Sequence, residues 1–232
     1  MKKRLTKKQW LRRKRIKQIT LIGTVILSGI AVLSCVCFIL GALLGKETPG
    51  VSPVFQKTYL TEAPEITEFF LTPNEYSRPG MALEKVNGIV VHYTANPGSS
   101  AEGNRNYFEG LKDTHSTKVS SHFIIGLNGE IIQCIPLNEI AYASNDRNAD
   151  TISIECCHED ESGKFTEETY RSLIRLLAWL CGEYNLKEEA IIRHYDVTGK
   201  ECPRYYVRNE ELWVELKQEV FEYIEKKRRE AK

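Results

Sequence analysis

The sequence predicts an α/β fold: a central mixed β-sheet flanked by helices and preceded by one transmembrane helix. Three observations predict it. Short β-branched runs recur between turn signals. Two long stretches, from Thr166 to about Tyr184 and from Asn209 to Lys227, carry apolar residues at helical spacing. Near the start, Ile19–Leu44 runs for 26 residues without a charge.

The elements follow in order. Asn87–Thr94 (NGIVVHYT) is apolar and β-branched and reads as a strand ending near His92. Pro97-Gly98-Ser99-Ser100 breaks it and supplies an N-cap for a helix over Ala101–Leu111. Asp113–Ser121 is a polar loop. His122–Gly126 and Glu130–Ile135 are strands joined by the hairpin signal Asn128-Gly129. Pro136–Asn148 is irregular. Thr151–Cys157 (TISIECC) is a strand with Ile152 and Ile154 on one face and Ser153 and Glu155 on the other. Thr166 caps the helix to Tyr184, whose Leu173, Leu176, Leu177 and Leu180 bury one side. Ala190–Ile192 is a short buried strand delivering His194. The last helix carries Leu212, Leu216, Val220, Tyr223 and Ile224 on one side. A two-residue hairpin beside helical crossovers makes the sheet mixed.

Charge is distributed unevenly. Lys and Arg total 32 against 31 Asp and Glu, but ten of the basic residues lie in the first 17 positions, where there is no acid. The remainder therefore carries a net charge near −9, which argues against nucleic acid as a partner. About 20 apolar residues span a bilayer, and the basic flank places the N-terminus in the cytosol. The expected organisation is a basic cytosolic arm at 1–18, a transmembrane helix at 19–44, an extracellular stalk at 45–76 and a folded domain at 77–228. Glu65–Leu71 is a short ordered piece packing on that domain. A cleaved signal peptide is the alternative for the apolar run, although such cores usually hold 7–15 residues. Val32–Cys35 bears a faint lipoprotein-like pattern in which Leu33 fits poorly. The seven cysteines show no disulfide spacing, and Cys134 and Cys181 read as small apolar residues.

The chemistry gathers at strand ends. His194 and Cys202 flank a Gly-containing loop, and His92 ends another strand. Two imidazoles and a thiolate make a sound zinc set with one position left for water. Taken alone, the stretch around His194 also fits a core His and an inert buried Cys. Glu155 is a carboxylate on a strand otherwise made of apolar and small residues, which makes it the candidate general base and acid. Lys200, two residues before Cys202, is placed to stabilise an oxyanion. Together these residues describe metal-assisted hydrolysis of an amide.

Four segments in this order, VVHYTAN with His92, SSHFIIGLNGEIIQCIP ending at Pro136, TISIE with Glu155, and RHYDVTGKECP with His194, Lys200 and Cys202, resemble the zinc N-acetylmuramoyl-L-alanine amidases. That group includes phage endolysin amidases and peptidoglycan recognition proteins. The resemblance runs from about Ser77 to Trp213. It implies a Zn²⁺ hydrolase that cuts between N-acetylmuramic acid and L-alanine in peptidoglycan, with His92, His194 and Cys202 as ligands and Glu155 and Lys200 as catalytic residues. Some relatives carry a catalytic Tyr where this chain has Ser121, which puts more weight on Glu155.

The remaining histidines read differently. His122 is structural or substrate-facing, His115 is solvated, and His158 stands near the groove. Asn96–Arg105 and Asn145–Asn148 are candidate substrate walls, with Arg147 a partner for a stem-peptide carboxylate. Cys156 and Cys157 pack beside the site. The expected protein is a membrane-anchored amidase remodelling the cell wall. The alternatives are a peptidoglycan-binding domain without catalysis and a structural zinc domain; retention of Cys202 favours the enzyme, and no fourth Cys or His at zinc spacing closes the site.

Overall fold

The structure, a computed structural model, describes residues 61–231. The basic arm, the Ile19–Leu44 run and the stalk up to residue 60 lie outside the described residues. Among the described residues no helix is long and apolar enough to cross a membrane.

Six strands form one sheet: β1 (Thr67–Glu68), β2 (Gly88–Tyr93), β3 (Phe123–Ile125), β4 (Ile131–Gln133), β5 (Thr151–Cys156) and β6 (Ile191–Arg193), in the order β1-β4-β3-β5-β2-β6. The β3–β4 hairpin is antiparallel and every other pairing is parallel. The sheet is mixed, as the sequence predicts. The hairpin closes with the Gly129 amide donating to the Gly126 carbonyl, and Gly129 adopts φ +82°, a conformation open to glycine at little steric cost.

Among the described residues five α-helices follow in order: α1 (Ala101–Thr114), α2 (Glu167–Tyr184), α3 (His194–Thr198), α4 (Arg204–Arg208) and α5 (Glu210–Glu230). Ser100 caps α1 by accepting from the Gly103 amide, and Thr166 caps α2 by accepting from the Thr169 amide. Each leaves one fewer unpaired donor at a helix start. Helix α1 runs one turn beyond the expected Leu111.

The pleat sorts side chains to two faces. Ile89, Val91, Phe123, Ile125, Ile152 and Ile154 share a core with Leu173, Leu176, Leu177 and Leu180 of α2 and Trp213, Leu216, Val220 and Ile224 of α5. Each fully buried Leu contributes about 1.5–3 kcal/mol, so this face is the stabilising one. The opposite face carries Ile124 and Ile132 against Ala101 and Phe108 of α1. The alternation predicted for Thr151–Cys156 holds: Ile154 faces the α2–α5 side, and Glu155 faces the other.

Residues 65–71 join this body. β1 pairs with β4, and Leu71 is buried in the α1-side core. Arg105 fastens the segment by donating to the Phe69 and Phe70 carbonyls, its guanidinium 3.8 Å from the centre of the Phe69 ring. The sheet therefore takes in residues N-terminal to Ser77, from the stretch expected as stalk.

Two short helices differ from expectation. The segment after β6 is a helical turn, α3, where the sequence reads as a loop. Asp196 accepts from the Arg193 amide at its start, and Gly199 ends it at φ +77°. α4 was not expected either. Five residues are too few for apolar periodicity to register.

Candidate metal centre and substrate groove

β5, β2 and β6 are adjacent and parallel, so their C-terminal ends lie side by side. In that register His92 stands directly opposite Glu155, both on the α1 side of the sheet. His194 follows β6 at the first position of α3. The chain then turns at Gly199 and returns, and the Tyr195 amide donates to the Cys202 carbonyl at 2.9 Å. That bond brings Cys202 back beside His194. Arg193 secures the corner, donating to Asp196, to Glu210 and to the Tyr206 carbonyl.

His92, His194 and Cys202 converge, with one candidate ligand atom from each and all three atoms within 4.8 Å of one another. His92 Nδ1 lies 3.8 Å from Cys202 Sγ. The two rings are 4.6 Å apart between centres. Zinc bonds of about 2.0–2.3 Å in a tetrahedron space their ligand atoms about 3.5 Å apart, so the His92–Cys202 pair is close to that spacing. Burial, joined by the positive charge of Lys200, holds both imidazoles below their ordinary pKa and keeps them neutral. Burial beside Glu155 pushes the Cys202 thiol up to about 12. His194 Nδ1 is buried without a hydrogen-bond partner. An orphaned lone pair of that kind is costly unless something occupies its front. The donor set and the orphaned nitrogen fit a zinc ion.

Glu155 borders the centre, with Oε1 4.0 Å from His92 Nδ1 and Oε2 buried without a partner. Burial raises its carboxyl to about 8, against the opposing pull of the Lys200 ammonium. Lys200 is exposed just past the Gly199 turn, and its charge acts on Glu155, His92, His194 and Cys202 alike. All five residues line one groove of about 470 Å³.

The groove walls are partly those expected. Thr94, Ala95 and Asn104 come from one side, and Asn145 and Asn148 from the other. Arg147 does not face the groove. Its guanidinium is spent on Asp150, at 2.7 and 3.1 Å. Tyr107, Lys118 and Tyr142, which the sequence did not single out, also line it. One signal was available: Asn104, Tyr107 and Phe108 fall at i, i+3 and i+4 on α1, a single helical face.

The other histidines have structural work. His122 is buried, accepting from the Ser153 amide at Nδ1 and donating to the Glu139 carbonyl through Nε2. His115 ends α1 in a left-handed conformation and stacks on Tyr76 at 4.4 Å. His158 is buried against Tyr93, is absent from the groove lining, and donates through Nδ1 to the Asp160 carbonyl. Cys156 and Cys157 are buried and free, on opposite faces. Ser121 is fully buried and donates to the Phe123 carbonyl, away from the groove.

The His122 arrangement has a consequence for stability. Protonating Nδ1 would set an N–H against the Ser153 N–H, and burial already lowers its pKa from 6.5 to about 4. The unfolded chain takes up a proton near pH 6.5 that the folded chain refuses until about 4. This contribution to stability is full above pH 6.5 and falls by about 3 kcal/mol as pH drops toward 4. Urea unfolding of a His122→Gln chain should show a shallower loss over that range than the unsubstituted chain; parallel slopes would refute the assignment.

Comparison with known proteins gives these residues a context. A family model described as N-acetylmuramoyl-L-alanine amidase matches residues 82–205, a range containing all five groove residues just described. A Bacillus licheniformis protein described as a probable N-acetylmuramoyl-L-alanine amidase is 40% identical over 152 residues, covering 60% of this chain and 42% of that protein. The N-acetylmuramoyl-L-alanine amidase BlyA of Bacillus subtilis (strain 168) is 33% identical over 175 residues, covering 66% and 46%. The chain thus spans under half the length of these curated relatives. Among solved structures, PlyL superposes with a TM-score of 0.59 at 26% identity over 68% of this chain and 97% of its own. The catalytic domain of XlyA gives 0.58 at 29% identity over 68% and 99%. With the family match extending over more than half its residues and the sheet shared with these structures, this chain belongs to the N-acetylmuramoyl-L-alanine amidase family.

Proposed function

We propose that the protein is a zinc hydrolase that cleaves the amide bond between N-acetylmuramic acid and L-alanine in bacterial peptidoglycan. The observation that carries this is the convergence of His92, His194 and Cys202, open to the groove and bordered by Glu155. Among the described residues no fourth His, Cys, Asp or Glu joins that cluster. A structural zinc site closes with four protein ligands, whereas a catalytic one keeps a position free.

Zinc held by these three residues would supply Lewis acidity to the scissile carbonyl and to water. The chain's own groups do the rest. In its ionised form, which the Lys200 ammonium favours, Glu155 takes a proton from the attacking water and later delivers it to the alanine nitrogen as the C–N bond breaks. The Lys200 ammonium stabilises the negative charge that develops on the carbonyl oxygen. Thr94 also lines the groove, its hydroxyl buried without a partner. Lys118, its ammonium 5.8 and 5.9 Å from the Tyr76 and Tyr142 ring centres, offers a positive charge at the groove to stem-peptide carboxylates.

The N-terminal segment would place this site beside its polymer. Ten basic residues before a 26-residue uncharged run support a single-pass anchor with a cytosolic N-terminus and an outward-facing domain, suited to cell-wall remodelling.

Digesting purified peptidoglycan with the full chain tests the reaction. The expected products are stem peptides with new L-alanine amino termini and intact glycan strands carrying free lactyl carboxyls. New reducing sugar ends, or tight binding with no new amines, would refute it.

A further inference from the structure

The two imidazoles of the candidate centre are held from behind by consecutive residues of one turn. His92 Nε2 lies 3.2 Å from Ser144 Oγ, and His194 Nε2 lies 3.2 Å from Asn145 Oδ1. An amide oxygen only accepts, so His194 carries its proton on Nε2 and leaves the lone pair on Nδ1. That is the nitrogen found buried and unpartnered. For His92, Nδ1 faces the Cys202 thiol at 3.8 Å and Nε2 faces the Ser144 hydroxyl, which can accept from an Nε2–H. Both rings therefore present Nδ1 to the same point.

The turn itself is built to hold this arrangement. Asn148 Oδ1 accepts from the amides of Ala143 and Ser144, at 3.0 and 2.6 Å. Arg147 pairs with Asp150, and the Thr151 hydroxyl donates to the Arg147 carbonyl at 2.6 Å. Those bonds lead directly into β5, the strand that carries Glu155. Ser144 is buried, and Asn145 sits at φ +51°, a region that most non-glycine residues avoid and Asn tolerates. A left-handed position that Asn tolerates is thus occupied by the residue whose side chain reaches His194.

We infer that Ser144 and Asn145 are positioning residues that fix the tautomer and orientation of both histidine ligands, so that the centre is preset to receive its metal through two Nδ1 atoms. This rests on the zinc reading proposed above. Hydrogen bonds behind a ligand are generally worth about 10–100-fold in metal affinity. The pair also acts as a unit: one turn sets both rings, and its displacement misplaces both.

The test uses the full chain and two substitutions, Asn145→Gly and Ser144→Ala. Glycine removes the acceptor while keeping a residue at ease with positive φ, so the turn is not strained by the change. In the zinc-free protein, imidazole ¹⁵N spectra should show both His92 and His194 as the Nε2–H tautomer, with His194 becoming a mixture in Asn145→Gly. In competition with a chromophoric chelator, each variant should bind zinc about 10–100-fold more weakly. The cobalt(II)-substituted chain should show shifted visible bands in both variants, and Asn145→Asp, which keeps an acceptor and tolerates positive φ, should restore affinity. Zinc binding and cobalt bands unchanged in both variants, with tautomers also unchanged, would overturn the inference while leaving the zinc reading intact. Failure of the unsubstituted chain to bind zinc would overturn both.

Discussion

Replacing Glu155 with glutamine lowers amide hydrolysis by about 10²–10⁴-fold, the range expected for loss of a general acid–base, and leaves zinc bound. The expectation follows from where Glu155 sits. Register places it opposite His92 in the neighbouring strand, and its Oε2 is buried with no partner in the protein. Burial without a partner costs stability and raises the carboxyl's pKa, the setting of a group that holds and releases a proton near neutral pH. Glutamine keeps the shape and removes the proton chemistry. The variant should therefore fall in kcat, measured as release of alanine amino groups, with its metal content unchanged. Retention of more than a tenth of the activity would remove Glu155 from its proposed role. Ser121, standing where some relatives have a catalytic Tyr, cannot substitute, because its hydroxyl is turned into the sheet.

Replacing Cys202 with alanine has an effect of a different kind: zinc and activity are lost together. Structural zinc sites with four ligands bind with roughly 10–16 kcal/mol. One ligand's share is about 3 kcal/mol, or about 10²-fold in affinity at the least. Cys202 is almost fully buried, so the exchange also leaves a small void. A sulfur-sized void costs about 1–2 kcal/mol, on the scale of small core truncations, which a folded domain of this size tolerates. Metal analysis after dialysis, paired with circular dichroism, separates the two effects. A folded Cys202→Ala chain holding a full equivalent of zinc would exclude the sulfur from the centre. Comparing the two variants divides the site: the glutamine keeps its metal and loses the reaction, and the alanine loses both.

Much of this was legible in the sequence, for identifiable reasons. Alternation over TISIEC assigned Glu155 to its face because a strand has period two and one face was wholly apolar. Thr166 marked its helix start because a hydroxyl there answers an unpaired amide. Asn128-Gly129 fixed the hairpin. His92 and His194 were legible because each lies at or just beyond a strand end and parallel neighbours align their ends, and Cys202 because a Gly-containing loop returns it beside His194.

The misses have equally physical causes. α3 and α4 are one-turn helices stabilised by Asp196 and by the Arg193 network, contacts that periodicity does not encode. Arg147 read as a substrate contact because its chain position borders the groove, yet Asp150, three residues on, claims its guanidinium. Lys118, Tyr107 and Tyr142 come from three separate segments, and their meeting is a property of the fold. The support behind the histidines was hidden for the same reason. Ser144 was not singled out and Asn145 read only as part of a substrate wall; their role appears once β2 and β6 set His92 and His194 against them.

The central claim is that one metal ion is held by two imidazoles and one thiolate with a position left for solvent. X-ray absorption at the zinc edge on the full chain measures this directly. The account predicts one sulfur at about 2.3 Å and three nitrogen or oxygen neighbours at about 2.0–2.1 Å, two of them with the outer-shell scattering of imidazole. A first shell without sulfur, or one closed by four protein ligands, would contradict it.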